Sequence, residues 1–136
     1  MKIKLDEGAF MPERAHADDA GLDLFSPVDC VVPARGTATI DTGVHVEFPK
    51  RSVGLMTSKS GLMVKYGITC RGTIDEGYRG SIRAVLFNAG DEDVHIHRGD
   101  KVSQLVILPC LFPRLTLVDE LEDTERGSNG FGSTGR

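Results

Sequence analysis

The chain has 136 residues, which is enough for one domain with a substantial core and too few for two. A hydrophobic fraction of 40% and a charged fraction of 26% are ordinary for a globular protein, and no apolar run approaches membrane-spanning length. The net charge of −4 argues against a nucleic-acid-binding protein, so an anion site would need a local concentration of cations.

The cysteines and the N-terminus bear on the cellular compartment. Cys30, Cys70 and Cys110 are odd in number, far apart and form no Cys-x-x-Cys pair. This pattern favours buried free thiols in a reducing compartment over metal ligands. The chain starts Met-Lys-Ile-Lys-Leu with no apolar secretory segment, so we expect a cytoplasmic protein without membrane contact.

Short segments rich in β-branched and apolar residues recur along the chain, separated by turns that contain glycine or proline. In chain order the predicted strands are Lys2–Leu5, Val28–Val32, Thr37–Asp41, Val44–Phe48, Val53–Thr57, Ser81–Phe87, Val94–His97, Lys101–Leu108 and Arg114–Val118. The one helix candidate, Ser60–Tyr66, makes barely two turns and would form a small plug between strands. This spacing predicts a single all-β domain, a distorted jelly-roll β-barrel or sandwich with one short helix.

The run Leu105–Leu108 is continuously apolar instead of alternating. A strand of this kind is buried on both faces, either inside the sandwich or against another subunit. In a domain this small it favours a homo-oligomer.

The segment Gly72–Gly80 is the strongest internal motif, because its glycines bracket an acidic residue and a tyrosine. Glycine lets the backbone come close to a ligand or take a tight turn. The carboxylate of Asp75 could accept a proton from a water, and the ring of Tyr78 offers a flat wall to a sugar or a base. A surface β-turn with a half-buried tyrosine is the alternative.

Other polar residues need partners of their own. Ser58–Leu62, at the start of the predicted helix, has the composition of an anion site but also that of an ordinary N-cap. Asp23 in an apolar strand and Gln104 in mid-strand would each pair with a ligand, an ion, another subunit or the backbone. The histidines, which show no acidic relay or ligand spacing, are His16, His45, His95 and His97.

The last eleven residues, Arg126–Arg136, combine four glycines and two arginines with small polar side chains and one phenylalanine. Alone, such a segment is a mobile tail or a disordered terminus. Its backbone N–H groups, hydroxyls and arginines also suit a polyanion clamp, in which Phe131 would cover a flat ring.

Five segments, in this order and at this spacing, resemble the motifs of the trimeric dUTP diphosphatase (dUTPase) family. They are Ala20–Leu24, Ser58–Leu62, Gly72–Gly80, Arg98–Leu105 and Arg126–Gly135. The resemblance implies a jelly-roll homotrimer with active sites between subunits, each completed by the C-terminal arm of a third chain. It also implies a domain over residues 1–121 and a flexible glycine-rich arm over residues 122–136.

The same resemblance implies Mg²⁺-assisted hydrolysis of dUTP to dUMP and pyrophosphate, which keeps uracil out of DNA and supplies dUMP for thymidylate synthesis. Asp75 would be the general base that directs water at the α-phosphorus, Tyr78 would pack against deoxyribose, and Asp23 would hold Mg²⁺ through a water. The remaining substrate-binding residues that it implies are Lys59, Ser60, Gly61, Gly72, Thr73, Ile74, Arg83, Gln104, Arg126, Phe131, Gly132, Ser133 and Thr134.

The chain departs from the family pattern at two places. Lys59 stands where the second motif usually has arginine, which keeps the charge but loses the bidentate fork. The hairpin expected before Gly72 is short and lacks the asparagine often found there, which bears on how strictly cytosine and thymine are rejected. Two alternatives stay open, a dCTP deaminase-type enzyme on the same fold and a phage-type regulatory protein that senses nucleotides.

Overall fold

The computed structural model describes residues 1–128 and folds them mostly into β-strands. The elements are β1 Lys2–Leu5, β2 Gly21–Phe25, β3 Cys30–Val32, β4 Thr37–Asp41, β5 Val44–Glu47, β6 Ser52–Ser58, α1 Ser60–Tyr66, β7 Ile68–Cys70, β8 Gly72–Ile74, β9 Arg83–Asn88, β10 Val94–Ile96 and β11 Lys101–Pro109. The all-β prediction with one short helix is therefore confirmed.

Four antiparallel sheets enclose a common core. Strands β2, β11, β6 and β8 form a four-stranded sheet in that order, β4, β9 and β7 form a three-stranded sheet, and β1–β5 and β3–β10 are two-stranded. A single apolar cluster draws buried side chains from all four sheets, including Leu24, Val32, Val46, Leu86 and Leu105. This is the packing of a distorted jelly roll.

The segment before the third motif passes from one sheet to another. Ile68–Cys70 pairs with β9, whereas Gly72–Ile74 pairs with β6. The short hairpin expected here is thus not formed, because each three-residue strand finds its hydrogen-bonding partner in a different sheet. Arg71 makes the crossing, and the loop after Ile74 begins at the edge of the four-stranded sheet.

The strand predicted at Arg114–Val118 is wrong for the described chain. The residues after Pro109 enter no ladder, although their sequence is apolar and β-branched. Leu115 and Leu117 are 90% and 100% exposed. A strand exists only with a partner edge, and this segment runs beside none within residues 1–128.

The predicted helix forms with the expected bounds but lies on the surface instead of plugging the sheets. It buries no residue, and Val64 is 83% exposed. Ser58 does not cap it, because the Ser58 hydroxyl accepts from Cys70 N at 2.9 Å, and no side chain of the described residues caps its N-terminus. Gly67 ends the helix in the left-handed conformation, with φ of 71°. No helix of residues 1–128 is long and apolar enough to cross a bilayer.

The three cysteines are free thiols. Cys70 is buried, as expected, and burial raises the pKa of its thiol. Cys30 and Cys110 are only half-buried, so the prediction of buried thiols holds for one of the three.

Candidate active site

The third motif forms a small cavity in the loop between β8 and β9. Its volume is about 180 Å³, and its lining residues are Thr73, Ile74, Asp75, Tyr78, Ser81 and Arg83. Five of these six residues were predicted from the sequence, and Ser81 was not. The exposed Asp75 carboxylate shares this cavity with the Tyr78 ring and the Arg83 guanidinium, so a proton acceptor, a flat wall and a cation meet at one place.

Tyr78 is held within the motif by its own loop. Its hydroxyl donates to the Ser81 carbonyl at 3.0 Å, and the ring is folded back over Gly80. A Cβ at Gly80 would lie 2.5 Å from the Tyr78 Cζ, closer than real contacts allow. A Cβ at Gly77 would meet nothing within 4 Å, so a side chain would be accommodated at Gly77 but not at Gly80.

The two ends of this loop are attached to neighbouring elements. Glu76 accepts from the backbone N–H of Arg51 at 2.7 Å and pairs with Lys50 Nζ at 3.0 Å. These contacts, the lysine first, lower the pKa of Glu76. At the other end the Ser81 hydroxyl donates to Asp41, which also lies 3.5 Å from Arg83 Nε across the β4–β9 ladder.

A second cluster surrounds Asp23, which is 1% exposed on β2. Lys59 Nζ and Gln104 Nε2 both donate to Oδ1, at 2.8 and 2.9 Å. Lys101 Nζ lies 3.0 Å from Oδ2 as an ion pair. Burial on its own raises the pKa of Asp23, but the contacts with Lys59, Lys101 and Gln104 outweigh it and lower the pKa.

The strand register explains part of this cluster. Gln104 stands directly opposite Asp23 in the β2–β11 ladder, so the two side chains share a face. Lys101 is three residues earlier and would point to the other face under strict alternation. A β-bulge between Lys101 and Ser103 shifts the register, so the Lys101 side chain lies on the same face as Asp23 and reaches its carboxylate. The alternation of residues along a strand does not reveal a bulge, and Lys101 was therefore not predicted from the sequence.

The other predicted phosphate ligands lie beside Lys59. Ser60 begins α1 and is exposed, and a Cβ at Gly61 would meet nothing within 4 Å. On β8, a Cβ at Gly72 would meet only Met56, at an ordinary 3.4 Å. The described part of the chain therefore places open space above Gly61 and gives no internal reason for glycine at either position.

The two clusters are far apart within one chain. In the four-stranded sheet, Gln104 of β11 stands opposite both Asp23 of β2 and Thr57 of β6. Ile74 of β8 stands opposite Gly54 of β6, three residues before Thr57. Three strand spacings across the sheet and about three to four residues along it separate Asp23 from Asp75, or roughly 20 Å. No side chain spans that distance, so the two clusters do not meet within residues 1–128.

The predicted arm is only partly described. Arg126 lies in an exposed turn at the end of the described chain. Phe131, Gly132, Ser133 and Thr134 lie outside the described residues.

The acidic side chains of the described residues fit a metal ion that is held mainly by the phosphate oxygens of a bound ligand. No group of three His, Cys, Asp or Glu side chains among residues 1–128 is placed to hold an ion directly. The buried Asp23 Oδ2 has Lys101 Nζ, at 3.0 Å, as its one polar side-chain partner within residues 1–128, so it can accept a further hydrogen bond. It could accept one from a water of Mg²⁺, which keeps several waters and prefers phosphate oxygens and one or two carboxylates.

Comparison with known proteins gives one consistent result. The dUTPase family model matches residues 7–135. A deoxyuridine 5'-triphosphate nucleotidohydrolase of Clostridium acetobutylicum is 45% identical, with 99% of this chain and 96% of that protein aligned. One from Paramecium bursaria Chlorella virus 1 is 43% identical, over 97% of this chain and 94% of that protein.

Solved structures agree with these sequence relatives. The Staphylococcus bacteriophage 80alpha dUTPase with dUpNHpp superposes with a TM-score of 0.89 at 34% identity, covering 99% of this chain and 98% of that one. A mutant dUTPase from phage phi11 of S. aureus, in which a structural Mg(II) ion is coordinated, superposes with a TM-score of 0.83 at 33% identity, covering 90% and 98%.

Proposed function

The chain belongs to the dUTPase family, and we propose from this premise that it hydrolyses dUTP to dUMP and pyrophosphate. The cavity that brings Asp75, Tyr78 and Arg83 together carries the proposal, because it unites a base, a nucleoside wall and a cation. The reaction would keep uracil out of DNA and supply dUMP for thymidylate synthesis.

Asp75 acts as the general base in this proposal. It takes a proton from a water whose oxygen attacks the α-phosphorus, while the bond to the bridging oxygen breaks and pyrophosphate leaves. Attack on a highly charged triphosphate is limited by repulsion, so positioning and cations supply most of the rate. Tyr78 packs against deoxyribose and leaves no room for a 2′-hydroxyl, while Gly72, Thr73 and Ile74 line the base.

The phosphate chain binds the second cluster. Lys59, Ser60, Gly61 and Gln104 contact it, and Arg83 joins them from the first cluster. Bound Mg²⁺ supplies charge neutralisation at the phosphate oxygens. Asp23 would support it by accepting a hydrogen bond from a metal-bound water.

A homotrimer joins the two halves. The separation of Asp23 from Asp75 supports a site in which one subunit provides the third motif and another the phosphate cluster. The outward face of the four-stranded sheet supports it too, because Val53 and Leu55 lie directly opposite Leu108 and Val106 on the face away from Leu105. These four side chains are half-buried or exposed in the single chain, as are the apolar residues after Pro109.

The domain division proposed from the family is a jelly roll over residues 1–121 and an arm over residues 122–136 that crosses to another subunit. Arg126, Ser133 and Thr134 would bind the β- and γ-phosphates, Phe131 would stack over uracil, and Gly132 would also contact the substrate. A cytoplasmic location agrees with the three free thiols.

Pyrophosphate release across the common ribo- and deoxyribonucleoside triphosphates tests the function. With Mg²⁺ present, dUTP should be turned over and UTP, dCTP and dTTP should not. Release of ammonia from dCTP without pyrophosphate would contradict the proposal and indicate the deaminase chemistry.

A further inference from the structure

His45 connects strand β5 to the loop that carries the third motif. Its Nε2 lies 2.9 Å from Asp6 Oδ2, and its Nδ1 lies 2.8 Å from the backbone oxygen of Arg79. Both partners are acceptors. A neutral imidazole has a single N–H, so only the protonated ring can donate to both at once. The geometry therefore describes a bridge that exists only while His45 is an imidazolium.

We propose that His45 is a positioning residue for the reaction, whose protonated ring ties Asp6 to the Arg79 carbonyl and so fixes the loop bearing Asp75 and Tyr78. The inference rests on the proposed dUTPase activity and deepens it. It adds a dependence of turnover on a group that touches neither substrate nor metal.

The attachment matters because of where it falls in the loop. Glu76 and Ser81 hold the two ends, through Arg51 and Asp41. Between them, Tyr78 and Arg79 otherwise bond only within the loop, Tyr78 N to Asp75 O and Arg79 Nη1 to Glu76 O. Within the described chain, His45 is the one hydrogen-bonding contact from residues 77–80 to the rest of the fold.

Other charged groups surround this bridge. Lys4 stands opposite His45 in the β1–β5 ladder, and its Nζ lies 3.5 Å from Asp6 Oδ1. Glu47, two residues along β5, pairs with Lys2 instead. The Arg79 guanidinium turns away, toward the carbonyls of Glu76 and Tyr78. Asp6 is thus the negative partner that His45 and Lys4 share.

The balance of these groups favours the charged ring. The Arg79 carbonyl first, and then Asp6, raise the pKa of His45 against the opposing effects of partial burial and Lys4. A raised pKa means that the bridge is complete below the unfolded value of about 6.5. It is lost as the pH rises through the folded value, which lies above about 6.5. The loop should therefore loosen, and turnover fall, on the alkaline side.

Titration of the wild-type protein tests the bridge without any substitution. Imidazole ¹⁵N resonances followed from about pH 5 to about pH 9 should show His45 protonated on both nitrogens to a pH above the unperturbed histidine value of about 6.5. Amide hydrogen exchange of residues 78–81 should accelerate over the range in which His45 deprotonates. A titration midpoint for His45 at or below about 6.5, or hydrogen exchange that does not change over this range, would overturn the proposal.

The kinetic test compares His45→Gln with His95→Gln, the same change on another strand. The glutamine amide would supply only a neutral donor in place of the imidazolium, so kcat for dUTP should fall about ten- to a hundredfold because the base is misplaced, with a smaller change in KM. The variant should also lose the alkaline decline of kcat. His95→Gln should keep both the wild-type kcat and its pH profile.

The outcomes separate the two proposals. Unchanged kcat and pH profile in His45→Gln would overturn the positioning role while leaving dUTP hydrolysis intact. An absence of dUTP turnover in the wild-type protein would overturn the proposed function, and the nitrogen titration and hydrogen exchange would still decide whether the bridge forms.

Discussion

Lys59 Nζ lies 2.8 Å from Asp23 Oδ1, so the cation predicted to bind phosphate is held by a buried carboxylate on strand β2. Gln104 donates to the same oxygen. The proposed phosphate-binding cluster is thereby organised around the single negative charge of Asp23 in the absence of nucleotide. Binding of a triphosphate would let Lys59 exchange the Asp23 carboxylate for a phosphate, so that its positive charge stays paired.

Asp23→Asn should destabilise the fold by about 2 kcal/mol at pH 7, because two lysines lose their buried counter-charge. The lowered pKa of Asp23 means that its contribution is fully present above about 3.9 and is lost as the pH falls through the folded value. Urea unfolding at pH 7 and pH 3 should show the difference from wild type shrinking with acid. Asp91→Asn, which removes an exposed ion pair with Arg35, is the control and should change stability by less than about 0.5 kcal/mol. A difference that grows toward low pH would contradict this assignment.

Gly80→Ala should displace the Tyr78 ring, since the new Cβ would lie 2.5 Å from its Cζ. We expect kcat/KM for dUTP to fall about tenfold or more and discrimination against UTP to weaken. Gly77→Ala adds the same methyl group to open space in the same loop and should be nearly silent. Equal kinetics for the two variants would show that the ring is not held by this contact.

A chain that ends at Glu125 should still assemble and bind dUTP, but turn it over orders of magnitude more slowly. The deletion removes Arg126 and the segment proposed to neutralise the leaving pyrophosphate and exclude water. Single-turnover kinetics, nucleotide binding by calorimetry and mass by light scattering would separate these effects. Wild-type turnover in the truncated chain would rule out the clamp.

Mixing two inactive variants tests whether the halves come from different subunits. Asp75→Asn damages the third motif, and Lys59→Met damages the phosphate cluster. In randomly mixed cyclic trimers about three quarters of the assemblies are hybrid, and one of three sites in each is intact, so about a quarter of wild-type activity should return. Co-refolded mixtures that stay as inactive as either parent would place the whole site within one chain.

Much of the fold and of the first half-site could be predicted from local pattern. Apolar and β-branched composition placed β1 and β4 at their observed bounds, and the glycine-flanked motif singled out Asp75 and Tyr78, which line one cavity. What failed depended on contacts that are distant in sequence. His45 gained an acidic partner 39 residues away. Lys101 joined Asp23 through a bulge, and Arg114–Val118 stayed unpaired for lack of a neighbouring edge.

Asp75→Asn is the most direct test of the central claim, that this carboxylate activates the attacking water. The substitution keeps the size of the side chain and removes its capacity to accept the proton. With Mg²⁺ and saturating dUTP, pyrophosphate release should drop by at least about a hundredfold while the oligomer and nucleotide binding persist. Turnover close to wild type in a correctly assembled variant would contradict the account.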